Sequence, residues 1–406
     1  MSQTAASLPG QSQTEQPVPE FQEFSLVLGG PLYQLFRKAH LADEVQSHLK
    51  QRLLIITGLI WLPLLVLCAL GGTLVRGVEI PFLYDVETHV RFLVSVPLMI
   101  IAELTVHKRM REIVAQFIRR NLVPPASMDR FRAAIASAMV WRNSVAFEIG
   151  ILALVLTAGY YIRTDLLNLS TSTWYVRVGP TGASLTLPGI WFSFVSNPVM
   201  QFLLLRWLYR MVIWARFLWQ VSRIDLDLIP THPDRNAGLG FLSTSAYAYT
   251  PLLASFGASV SGILASRIFH EGASHRNFQT DIVTLVILAV ILVLGPMAVF
   301  APRIVAAKRK GLADYGALAA EYSRDFRRRW LESGHRDSEK LLGTSDIQSL
   351  ADMGNAFDVI RGIKPVPFNR DMLVQLVVAT LAPVAPLVLT MIPFEELVGR
   401  MLKAVF

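Results

Sequence analysis

The stretch Ile224–Leu242 gathers the residues best suited to chemistry. His232, Asp234 and Arg235 lie within four positions of each other, with Pro230 and Pro233 among them and Gly238 and Gly240 just after. A histidine titrates near neutral pH, an aspartate can orient it, and an arginine can hold an anion. Gly238 and Gly240 would let backbone N–H groups approach a phosphate. The same residues have a plainer use. Thr231 and Asp234 have the spacing of a helix capping box, with Asp in place of Glu. The prolines set extended geometry ahead of a helix, and the glycines supply a turn. Two readings stay open: a loop that binds a ligand, or a loop that caps a helix. Asp225 and Asp227 do not extend the set to a metal site, because the spacing of zinc and calcium ligands is missing. No metal and no cofactor is expected, and no catalytic residue is assigned.

Around this loop the chain is apolar. Of 406 residues, 53% are hydrophobic and only 17% charged, and the mean hydropathy is +0.44. Apolar runs near 20 residues with few charges predict an all-α, polytopic integral membrane helical bundle of about seven transmembrane helices with cytoplasmic helical extensions. The net charge of +8 does not point to nucleic acid, because the basic residues flank apolar runs. Cys68 is the one cysteine, so no intrachain disulfide is possible.

Residues 1–22 read as a disordered tail without a signal peptide. Residues 23–50 read as an amphipathic helix on the membrane surface. Residues 51–301 hold spans 1 to 6, with the central loop over 224–243. The spans run near Leu53–Val75, Val90–Val106, Ala146–Ile162, Leu187–Leu205, Pro251–Phe269 and Ile282–Ala301. A cytoplasmic helical segment, 302–370, precedes span 7 at Met372–Ile392, and residues 371–406 end in a short amphipathic tail. No internal repeat is evident. With the N-terminus inside, 30 of the 38 lysines and arginines fall on inner segments. That bias sets N-inside and, for seven spans, C-outside.

The intramembrane charge candidates are Glu103 and Glu148, close to the inner boundary, with Arg206 and Arg210 as partners. Snorkelling to water is the alternative. In span 5, Ser255, Ser259 and Gly262 belong to a face of small residues, which serves either close helix packing or a pore wall. In span 7, Gln375, Thr380, Pro383 and Pro386 suggest a kinked helix, either gating or simply shaped to pack.

The loop His232-Pro233-Asp234-Arg235, with Ala237-Gly238-Leu239-Gly240-Phe241-Leu242, resembles that of a family of bacterial polytopic membrane proteins of about this length. Ala351-Asp352-Met353-Gly354-Asn355-Ala356-Phe357 and Lys364-Pro365-Val366-Pro367-Phe368 resemble the same family. The resemblance covers most of spans 4 to 7 and implies a fold and the bacterial inner membrane, not an activity. By architecture alone the chain is similar to seven-span ion channels of the insect odorant-receptor type. The expectation is a channel or transporter for an ion or small solute, not an enzyme, with a homo-oligomer among the arrangements left open. The alternatives are a scaffold or sensor with a cytoplasmic protein partner at 302–370, and an enzyme using His232 and Asp234. The partners expected are the lipid bilayer, with anionic headgroups at the basic inner loops, and no nucleic acid.

Overall fold

A computed structural model of the chain describes residues 24–27, 29, 49–167, 172–180, 182–271, 278–332 and 345–387. These are mostly helix. Three helical hairpins follow one another, each made of a shorter and a longer helix. They are α1 (Leu49–Leu70) with α2 (Val86–Arg119), α4 (Val145–Leu167) with α5 (187–222), and α6 (Thr250–Glu271) with α7 (Gln279–Glu332). Helix α3 (Met128–Arg142) links the first two hairpins. Helices α8 (Ser345–Arg361) and α9 (Arg370–Leu381) complete the chain. A two-stranded antiparallel hairpin, β1 (Val176–Gly179) and β2 (Gly182–Leu185), joins α4 to α5.

Four of these helices, α1, α2, α6 and α7, are long and apolar enough to cross a membrane. The count is five if the bent pair Pro125–Arg142 and Val145–Tyr161 is one span. The outward faces of these helices and of α4 carry large apolar side chains that are half or more exposed, such as Leu54, Leu62, Leu152 and Ile291. A water-soluble protein would hide them; lipid can cover them. Helix α5 interrupts its apolar run with Asn197, Gln201 and Arg206. The expected seventh span is described only to residue 387 and lies partly outside the described residues. The tail over 1–22 lies wholly outside them.

Helices α2, α5 and α7 all run past the apolar bundle at the same end and build a second layer with α3, α8 and the central loop. Its core is aromatic: Phe117, Phe131, Trp214, Phe217 and Phe300 are fully buried in one cluster. Residues 24–27 enter this core. At the start of the stretch 23–50, where the sequence pattern predicts a surface helix, residues 24–27 are irregular, with Phe24, Leu26 and Val27 buried; residues 28 and 30–48 of that stretch lie outside the described residues. The Phe24 ring meets Phe217 at 5.3 Å, and Arg142 donates to the Ser25 carbonyl at 2.7 Å. Burial against waiting aromatic rings outweighs helix periodicity in so short a segment.

The structure corrects the expectation that no internal repeat exists. Asp85 caps the start of α2 by accepting from the Thr88 N–H, and Thr186, 101 positions on, caps α5 by accepting from the Gly189 N–H. Each helix then makes one α-helical segment and one π turn, over Arg91–Ser95 and Phe192–Ser196. Each resumes as an α-helix with proline in second place, Pro97 and Pro198. The shared letters are few: Val94-Ser95-x-Pro97-x-Met99 and Val195-Ser196-x-Pro198-x-Met200. Proline has no N–H and clashes with the carbonyl four residues back. Widening the preceding turn accommodates both, with Val96 N–H bonding to Arg91 and Asn197 N–H to Phe192.

The small-residue face of α6 is a packing surface. A Cβ on Gly257 would overlap the Thr380 carbonyl of α9, and one on Gly262 would lie 3.2 Å from the Glu87 Cα of α2. Gly257→Ala is therefore expected to lower stability in detergent by about 1–3 kcal/mol, as overpacking does. Gly58→Ala, whose Cβ meets open space, should be neutral or slightly stabilising, and thermal melts of the two variants make the comparison.

Candidate functional site

The polar groups fall into three places: a buried ion cluster, the central loop, and a cavity.

The cluster lies where α1, α2 and α5 cross. Glu103 is 3% exposed, and its two carboxylate oxygens accept from Arg210 at 2.8 Å and from Arg52. Glu103 stands 17 residues into α2, roughly 25 Å along it. It does not snorkel; three helices close over it. Arg210 also lies over the Trp207 ring, at 5.0 Å, and Trp207 donates to the Met99 carbonyl at 3.1 Å. Arg206, 7% exposed, feels the charges of both Glu103 and Glu148. Arg52 is the member that sequence reading missed. It precedes the first apolar run, and only the crossing of α1 over α2 brings it to Glu103.

In the central loop the carboxylate of Asp234 is engaged by backbone. It accepts from the N–H groups of Asn236 at 2.8 Å, Gly238 at 3.1 Å and Gly240 at 2.8 Å. No helix begins at Thr231, so the capping-box reading is replaced by a loop wrapped on Asp234; the next helical turn starts at Gly240. Arg235, Ala237 and Gly238 all have positive φ, a costly path for the first two. The Asp234 bonds offset that cost. Burial alone would raise the Asp234 pKa, but the three N–H groups outweigh it and hold the carboxyl below its ordinary value. His232 Nδ1 lies 3.0 Å from an Asp234 oxygen and 3.2 Å from the Asp234 N–H. The Nδ1 atom accepts from that N–H.

The loop holds the segment before α9. Lys364 N–H donates to the Arg235 carbonyl at 2.9 Å, and Asn236 donates its amide to the Val366 carbonyl at 2.9 Å. The two stretches that carry the family resemblance thus touch each other. Asp225 is elsewhere, paired with Arg303 at 3.2 Å. Among the described residues no group of three His, Cys, Asp or Glu is placed to hold a metal ion.

The span 5 and span 7 candidates separate. Ser255 and Thr380 are buried, and the Thr380 hydroxyl bonds to its own helix at Leu376. Gln375 points outward, exposed, and Pro383 packs near Gly257. Ser259 alone opens on free space. It donates to Ser95 at 3.0 Å and lines a cavity of about 710 Å³ between α2, α5, α6 and α7. The cavity has a polar end, with Asp85, Glu87, Arg91, Tyr175, Asn197 and Gln201, and apolar walls that reach Leu208 and Leu292. Both π-turn helices line it, which no single residue type in the sequence signals.

Compared with family models, curated proteins and solved structures, the chain matches none.

Two outcomes follow from this geometry. Glu103→Ala removes the carboxylate that both Arg210 and Arg52 face and should cost about 3–5 kcal/mol, whereas Glu103→Leu with Arg210→Met and Arg52→Met should recover most of it; chemical unfolding in detergent compares them. The Asp234 contribution is fully present at neutral pH and is lost as pH falls through a folded-state pKa below the ordinary aspartate range, because the folded loop binds the proton less readily than the unfolded chain. Hydrogen exchange at Gly238 and Gly240 should stay slow down to that pH, and should be fast at neutral pH in Asp234→Ala.

Proposed function

We propose that this chain is a transporter of the inner membrane that carries a small solute through the cavity between α2, α5, α6 and α7. The observation that carries the reading is the cavity itself. Its volume is in the range of ligand sites, and convergent polar groups lie at one end of apolar walls. It ends at Leu208, one turn from the Glu103–Arg210 pair and Trp207, which close the bundle on that side. A site closed at one end by a breakable lock suits alternating access. In this reading the chain has seven spans, with α5 and α9 among them. The layer of helix extensions is cytoplasmic, consistent with its share of the lysines and arginines.

A second reading has one specific support. Tyr322 and Trp330 at the end of α7 both bond to Asp346 of α8, at 3.0 and 2.9 Å, and Arg329 pairs with it at 3.3 Å. This rigid hairpin exposes Leu318, Leu331 and Ile347. It would suit a scaffold that presents the hairpin to a protein partner.

The two readings part on access. Cys68 is wholly buried, so the wild-type chain serves as the blank for thiol labelling. In liposomes of fixed orientation, Asn197→Cys and Leu208→Cys are each expected to react with a membrane-impermeant maleimide added from either face. Reaction from one face only, at both positions, would rule transport out and leave the scaffold.

A further inference from the structure

The polar end of the cavity has donors and acceptors to spare. Asn197 is 8% exposed, lines the cavity, and its side chain has no hydrogen-bond partner among the described residues. One turn further along α5, Gln201 presents a buried Oε1 with no donor. A buried carboxamide without a partner costs free energy that a bound polar group would return. Asn197 follows the π turn directly, so the feature that re-registers α5 also sets this side chain.

The charge at this end is negative. Among the described residues Asp85 has no cationic partner; it accepts from Trp174 Nε1 at 2.8 Å and from the Thr88 hydroxyl and N–H at 2.8 and 3.1 Å. Glu87 is paired with Arg91 on the next turn of α2. Two carboxylates face one guanidinium. Tyr175, at the same rim, holds its proton more tightly than an ordinary phenol, first through burial and then through the Asp85 charge. An anionic head would meet this field unfavourably; a neutral hydrogen-bonding or cationic head would not.

The remainder of the cavity is apolar and opens sideways. From Asn197 to Leu208 is eleven residues of helix, roughly 16 Å. Leu288 of α7 lines the cavity yet is 59% exposed, so the wall is breached towards the lipid-facing side. The volume suits on the order of 20 non-hydrogen atoms at ~30 Å³ each, enough for one chain and a small head.

We propose that the cavity takes a single-chain amphiphile from the surrounding lipid, its neutral or cationic head against Asn197 and Gln201 and its tail between α5, α6 and α7. This rests on the cavity being the substrate site.

The test is equilibrium binding to the full chain in nanodiscs, net of empty nanodiscs, with radiolabelled dodecylammonium, whose head carries three N–H donors, as the probe. Saturable binding is expected, weakened about tenfold or more by Asn197→Leu and abolished by Val260→Trp, which fills the space. Ile263→Phe gives a second filling variant should Val260→Trp fail to fold. Dodecyl sulfate should compete at least about tenfold more weakly, and methylammonium, which has the head without the tail, should not compete. Binding untouched by the filling variants, a preference for the sulfate, or full competition by methylammonium would overturn the proposal. If the amphiphile fails to bind while both cysteine variants label from two faces, the ligand class is wrong and transport stands. If it binds while labelling is one-sided, the ligand class stands and transport is wrong.

Discussion

The Glu103 carboxylate, held between Arg210 and Arg52, constrains three helices at once. A charge taken out of water is costly unless its partners are well placed and its lone pairs are filled. Arg52 precedes the apolar run of α1, Glu103 lies deep in α2, and Arg210 follows the apolar run of α5. The crossing of these helices is therefore fixed in depth and rotation. On one side of it lies the apolar bundle with its cavity. On the other lies the layer built from helix extensions, whose core includes Trp214 and Phe217.

The cavity owes its shape to the paired π turns. Helices α2 and α5 follow the same course, from capped start through π turn to proline, and both line the space. Ser95 and Ser196 end the two turns and tie each to a neighbour, Ser95 to Ser259 of α6 and Ser196 to the Ile60 carbonyl of α1 at 2.6 Å. The prolines that follow keep each widened turn from relaxing to regular helix, and the serine ties fix it against its neighbour. With them, the polar residues that follow are held towards the cavity.

The central loop works at a different level. Its His, Asp, Arg and Gly residues look like reactive chemistry in one dimension, yet Asp234 spends its oxygens on backbone N–H groups and Asn236 spends its amide on the 364–366 carbonyls. The loop orders the layer and sets where the chain turns back towards α9. Its left-handed residues Arg235 and Ala237 show how far the backbone is bent to do so.

Legible in the sequence were the helical class, apolar runs long enough to span a membrane, the basic character of the helix extensions, and Glu103, Glu148, Arg206 and Arg210 as charge candidates, though not which of them pair. These follow from periodicity and from the cost of charge in an apolar run, which are local properties. Only the tertiary structure decided that Arg52 completes the ion cluster, that Phe24 and its neighbours sink into an aromatic core, and that Gln375 faces outward while Ser259 faces a cavity. It also decided that two stretches 101 positions apart repeat one backbone course. Contacts between helices depend on which faces meet, and a face is chosen by packing against partners distant in the chain. The repeat shares a backbone solution to proline more than it shares side chains, so it becomes visible only once the backbone is seen.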